Sequence, residues 1–326
     1  MEQGEGLTEP LYAHVKRPRW GLAILASQSE DKREYQFQDG TQRIIKEGYW
    51  DLMQPVDQPA DRAVKIVREL KSMLRAARSR EAAAGSPKKA GPPPISFEEQ
   101  LNFFRAKLYP EGMASDAWKS KVRGDGAKKR RKRHRDAAIA HAQELLSKDE
   151  LKRLHEAGEY GEVRKRLHAV LTATDLTASS DTAPLRKLPE AAEKELSEHT
   201  IHMLYGEGPF ASRFDRFVTT LSAKTDERVR WPLASALASL VHPQEHVCIK
   251  PNVFREQARY MAPSFRYTPT PAGASYVRLQ DVAKSVRKKL EDAGEPVRDL
   301  LDVFDFIHET LRPKSRKEIE AARQTV

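Results

Sequence analysis

The chain has 326 residues, with 57 Lys or Arg against 47 Asp or Glu, a formal net charge of +10. Its single cysteine, Cys248, excludes an intramolecular disulfide framework and a Cys-rich zinc site. No apolar run approaches the ~20 residues of a membrane helix, and the acidic start lacks the apolar core of a secretory signal, so a cytoplasmic protein with no membrane contact is expected.

The first element is a set of short strands. Tyr12-Ala-His-Val15 alternates, Trp20–Leu25 is apolar, Glu34–Gln38 alternates strictly, and Thr41–Ile45 returns after Asp39-Gly40, a strong two-residue hairpin signal. Trp50–Met53 closes the segment. Several aromatic-rich short strands in so few residues predict a small antiparallel β-barrel over residues 8–57.

From Ala60 the period changes to that of a helix. Ala63, Ile66, Val67, Leu70, Met73, Leu74 and Ala77 share one arc, and Arg68, Lys71, Arg75 and Arg78 flank it as a basic edge. This predicts a basic amphipathic helix over 60–83, followed by a Pro-rich linker over 84–95.

Residues 96–312 read as mainly α-helical. Ser96 with Glu99 and Ser147 with Glu150 are capping boxes. Further helices are expected over 160–171, 189–204, 210–221, 231–241, 253–261, 276–293 and 299–311, with a loop over 173–188. His246–Ile249 is a candidate strand, and 313–326 a flexible tail. The fold class is α+β: a small N-terminal antiparallel barrel, then a large mainly α-helical region.

Charge is uneven along the chain. Between Lys119 and Arg135 ten basic residues (Lys119, Lys121, Arg123, Lys128, Lys129, Arg130, Arg131, Lys132, Arg133 and Arg135) meet one acid, Asp125. That local +9 leaves about +1 for the other 309 residues. Such density suits phosphates, and with the edge at Arg68–Arg78 it makes two candidate nucleic-acid contacts. No aromatic residue is interleaved between Lys119 and Arg135, so base stacking is not indicated.

Other candidates are weaker. Asp299, Asp302, Asp305 and Glu309 recur at helical spacing, either as a solvated acidic face or as carboxylates that hold Mg²⁺ in a nuclease. His242, His246 and Cys248 lie within seven residues, but Pro243 stands where a zincin needs Glu. His199 and His202 are a similar pair. Val247 and Ile249 suggest that Cys248 is buried rather than nucleophilic. No phosphate-cradling glycine loop and no nucleophile elbow is present. No cofactor, metal or catalytic residue is assigned.

Pro18–Leu25, Tyr35–Gly40, Arg43–Ile45 and Leu52 with Pro55-Val56 resemble the motifs of small Tudor/SH3-like barrels of bacterial transcription and repair proteins. CarD-type polymerase-binding regulators and SWI2/SNF2-type polymerase-associated ATPases carry such barrels. The resemblance covers about 45 residues and rests on Gly21, Ala23, Ile24, Tyr35, Phe37 and Gly40. It implies an adaptor that docks RNA polymerase or a helicase, with Trp20, Tyr35, Phe37 and Trp50 as candidate partner contacts. Phe103–Met113 and His242–Pro251 resemble only uncharacterised bacterial proteins. The expected function is a non-catalytic nucleic-acid-associated adaptor in transcription or DNA repair. The alternatives are the metal-dependent nuclease and a protein–protein scaffold without a nucleic-acid role.

Overall fold

The computed structural model describes residues 9–84, 92–129 and 131–324, with side chains omitted from 78 to 84. The chain separates into two units. One holds the described residues up to Pro93 together with Ser264–Thr268, and the other holds Pro94–Pro263 and Pro269 onward.

Unit 1 is an antiparallel sheet of β1 (Tyr12–His14), β2 (Leu22–Gln28), β3 (Lys32–Phe37), β4 (Gln42–Lys46) and β5 (Met53–Pro55), in the order β4-β3-β2-β1-β5. The period-2 alternation splits β2 between two faces. Ala23 packs with Tyr35, Phe37, Ile45 and Met53 on one side. Ile24 packs on the other with Leu11 and with Ile66, Val67 and Leu70 of α1 (Ala60–Ala84). The expected barrel is not closed, because β4 and β5 remain edges. The apolar stripe of α1 covers one face, so that face is buried without strand closure. The chain turns at Asp39-Gly40, but through the three residues Gln38–Gly40 instead of two: the register Gln36↔Gln42 sets Phe37 opposite Thr41, and Asp39 does not take the positive φ of a two-residue hairpin. Gly40 has φ +81°, and a Cβ there would meet the carbonyl oxygen of Arg266 at 2.0 Å, so glycine is required on both counts.

Unit 2 is helical. It begins with α2 (Phe97–Phe103), opened by the Ser96–Glu99 capping box, in which each backbone N–H donates to the other side chain. A π-helical turn over Phe104–Leu108 follows, and a second over Lys119–Arg123 extends the short α3 (Asp116–Trp118). Next come α4 (Arg135–Leu145), α5 (Lys148–Glu156), α6 (Tyr160–Thr172), α7 (Ala183–Arg186) and α8 (Glu193–Tyr205). The set closes with α9 (Phe210–Lys224), α10 (Trp231–Val241), α11 (Pro251–Met261), α12 (Gly273–Asp292), α13 (Leu300–Leu311) and α14 (Pro313–Arg323). Every residue of α10 is buried, which fits its near-continuous apolar sequence and places it centrally.

In unit 2, four local expectations change. Ser147 makes no side-chain cap bond, and the Glu150 carboxylate, engaged by Arg153 at 3.0 Å and by Arg166 at 2.9 Å, does not return to it. The loop over 173–188 contains α7. Residues 246–249 form no strand; Val247 N–H donates to the Tyr276 hydroxyl and Ile249 N–H to the Ser235 hydroxyl, so side chains supply what a ladder would. The stretch after Pro313 is helical through Arg323. Ile319 is buried, and the Arg323 guanidinium holds Glu99 and donates to the Pro94 carbonyl at 3.0 Å.

Candidate nucleic-acid interface

The basic segment and the acidic helix, unrelated in sequence, meet in unit 2. Asp299 caps α13, accepting from Leu301 N–H at 2.8 Å and from Asp302 N–H at 3.3 Å. It also receives both ends of the Arg123 guanidinium, at 3.0 and 2.6 Å. Asp302, one turn on, accepts from Arg123 at 3.3 Å, from the Trp118 indole at 3.2 Å and from Arg298 N–H at 2.8 Å. Asp305 takes a two-point fork from Arg135, which also reaches Asp175 at 2.6 Å. Glu309 accepts from Arg133 at 3.2 Å. The helical spacing of the four acids thus sets three arginines along one side of α13.

These acids are not a solvated face: all four are buried. They are carboxylates spent on guanidinium groups, and among the described residues no group of three or more His, Cys, Asp or Glu is placed to hold a metal ion. Burial opposes the charge of Arg123 and Arg135, but the facing carboxylates hold both well above the ordinary arginine range. Burial pushes the Asp302 carboxyl up to about 6 in spite of Arg123. Asp175 is also desolvated, yet Arg135 holds its carboxyl below the usual range.

The result for the basic segment is a division of labour. Arg123 and Arg135 are buried, so they are not phosphate contacts. Arg133 is half-buried and faces Glu309. These residues are instead the anchors of the loop between α3 and α4. The π-helical turn ends at Gly124, whose φ of +93° turns the chain away. Asp125 and Asp136 are bridged by Arg298 at 2.6 and 2.9 Å, and Asp175 N–H donates to the Lys132 carbonyl at 3.1 Å. A small open cavity of about 250 Å³ lies under the loop, lined by Arg123, Gly124, Asp125, His134 and Asp136.

What the clamped loop presents to solvent is Lys128, Lys129, Arg131 and Lys132, with Lys121 exposed beside it. None of these five forms an ion pair among the described residues. Lys119 is half-buried, 3.9 Å from Asp116. Arg130 lies outside the described residues.

In unit 1, Arg68 and Arg75 are exposed on α1, and Lys71 is paired with Glu9 at 2.6 Å. The Arg78 side chain lies outside the described residues. The expected partner contacts do not form an open patch. Tyr35 and Phe37 are core, because the curled sheet turns their face inward. Trp20 and Trp50 are half-buried and capped by guanidinium groups, Arg43 over Trp20 at 4.0 Å and Arg33 over Trp50 at 4.1 Å. Among the described residues, the exposed large apolar side chains of the unit are Val15, Ile44, Tyr49 and Val64.

Sequence reasoning missed Asp136, Asp175, Arg298 and Trp118 as loop anchors. One signal was present. All three anchors within the basic segment are arginine, whose planar fork suits a buried carboxylate better than a lysine ammonium does. Fold and site together define an α+β protein with a basic loop clamped to a buried acidic helix. No protein-family model, no curated protein and no solved structure matches the chain.

Proposed function

We propose that the chain is a non-catalytic nucleic-acid-associated adaptor that contacts phosphate backbone through its clamped basic loop. One observation carries this reading. After the buried arginines are matched to acids, Lys121, Lys128, Lys129, Arg131 and Lys132 stay exposed and unpaired among the described residues. Clustered cations without carboxylate partners form a site for a polyanion, and anchoring the loop reduces the entropy lost when it binds. Arg68 and Arg75 on α1 are a second, smaller cationic surface. A role for unit 1 as a protein-docking module in transcription or repair, with RNA polymerase or a helicase as partner, rests on the motif resemblance of its strands.

The test is a variant with alanine at Lys128, Lys129, Arg131 and Lys132. Polynucleotide affinity is expected to fall, and the dependence of log affinity on log salt to flatten by about 0.9 for each phosphate no longer neutralised. Unchanged affinity and slope would refute the reading. So would salt-sensitive binding to an acidic protein without binding to polynucleotide.

A further inference from the structure

Proteins that hold single-stranded polynucleotide combine a cationic groove with aromatic side chains on which bases stack. Unit 2 has the cations without the aromatics. Trp118, Phe304 and Phe306 are core residues, at most 1% exposed. Its half-buried aromatics are engaged elsewhere. Tyr160 packs against the His155 ring at 5.2 Å, the Tyr205 hydroxyl donates to the Leu146 carbonyl at 2.6 Å, Phe210 lies 4.0 Å from the His246 ring, and the Tyr260 hydroxyl donates to Glu98 at 3.3 Å. Among the described residues, every exposed large apolar side chain belongs to unit 1. The one ring on the loop, His134, is buried.

Of the side chains that read base edges the loop offers lysine and arginine, which pair with guanine, but no element that carries them into the major groove. Between Lys119 and Arg135 there is no Asn or Gln to pair with adenine. The exposed cations of the loop sit on irregular backbone, not on the helix or two-stranded ribbon that the major groove of DNA admits. What remains is charge on a fixed scaffold, and charge is best matched by the densest regular array of phosphates. A duplex carries one charge per ~1.7 Å of axis and releases more counterion per contact than a single strand does.

We propose that the loop docks on the phosphate backbone of double-stranded nucleic acid, without regard to sequence and in preference to single strands. This rests on the polyanion-binding reading above. The whole protein would be titrated by fluorescence anisotropy onto two DNA duplexes of unrelated sequence, an RNA duplex, and the component single strands, over a series of salt concentrations.

With four seated cations, the slope of log affinity against log salt is about −3.6 on a DNA duplex and about −2.8 on a single strand. The two DNA duplexes are expected to bind within about twofold of each other, as contacts confined to phosphates require. The better of the DNA and RNA duplexes is expected to bind several-fold more tightly than any single strand. Single strands bound as tightly as duplex, or DNA duplexes differing more than about tenfold, would overturn the inference and leave the polyanion-binding reading standing. No binding to any of these polynucleotides would overturn both.

Discussion

Arg135 and Asp305 meet as a two-point fork, Nε to Oδ2 at 2.7 Å and Nη2 to Oδ1 at 2.8 Å, and each side chain is 2% exposed. A pair so deeply buried contributes little beyond a well-packed apolar pair, but leaving either partner alone is costly. Arg135→Ala is therefore expected to destabilise unit 2 by about 3–5 kcal/mol. Arg135→Met combined with Asp305→Leu is expected to cost less than Arg135→Met alone, because Asp305 is no longer left as a buried charge, while Asp175, which loses Arg135 in both variants, is 45% exposed. Urea unfolding of the four proteins checks this, and an Arg135→Ala cost below about 1 kcal/mol would contradict it.

Gly124 turns the chain from the second π-helical turn into the loop. Its φ is +93°, and an added Cβ would sit 2.9 Å from Cβ and Cγ of His134. Both strain and contact oppose a side chain, so Gly124→Ala is expected to cost about 1–3 kcal/mol. Alanine at Lys128 and Lys129, whose side chains stand in solvent, is expected to change stability by less than about 0.5 kcal/mol. Thermal unfolding separates the two effects. Equal costs would show that the loop is not held at Gly124.

Asp302 gives the fold a pH dependence of defined sign. Its carboxyl ordinarily titrates at 3.8 and is raised to about 6 in the folded state by burial. Between those values the folded protein holds a proton that the unfolded chain has released. The contribution of this group to stability therefore falls as pH rises from about 4 to about 6, by up to about 3 kcal/mol. Asp302→Asn removes the titration but leaves one acceptor where Arg123, Trp118 and Arg298 supply three donors, so it destabilises at every pH. The cost is expected to be smaller near pH 7 than near pH 4. Denaturant unfolding at the two values decides it, and a cost that grows with pH would refute the assignment.

The parts of the fold that local sequence specifies were legible. Strand alternation on β2 and β3, the Asp39-Gly40 turn, the amphipathic arc of α1 and the Ser96–Glu99 box all depend on residues within one or two turns of one another. The site was half legible. The cationic density at Lys119–Arg135 and the acidic periodicity at Asp299–Glu309 are visible in the sequence, but their mutual neutralisation spans about 170 residues and arises only from helix packing. The same limit hid α14, whose charged sequence reads as a fraying tail until Arg323 finds Glu99. Tyr35 and Phe37 show the converse. Their alternation located the strand, but only the curl of the sheet showed that their face is core.

Cys248 offers an internal reporter for the clamp. It is fully buried beside Ser235, and burial pushes its thiol up to about 12, against the opposing effects of Lys250 and the Ser235 hydroxyl. A thiol so protonated and enclosed reacts only when the surrounding helices open. Its labelling by a thiol-specific disulfide reagent is therefore expected to follow the open population. If the Arg135–Asp305 fork belongs to the same cooperative unit, the destabilisation of about 3–5 kcal/mol in Arg135→Ala raises that population by about two to three and a half orders of magnitude. Labelling is expected to accelerate accordingly while opening stays fast relative to reaction. Alanine at Lys128 and Lys129, which leaves the buried pairs intact, is expected to leave the rate unchanged. Equal acceleration in both variants would mean that Cys248 is reached by a local opening in which the fork takes no part.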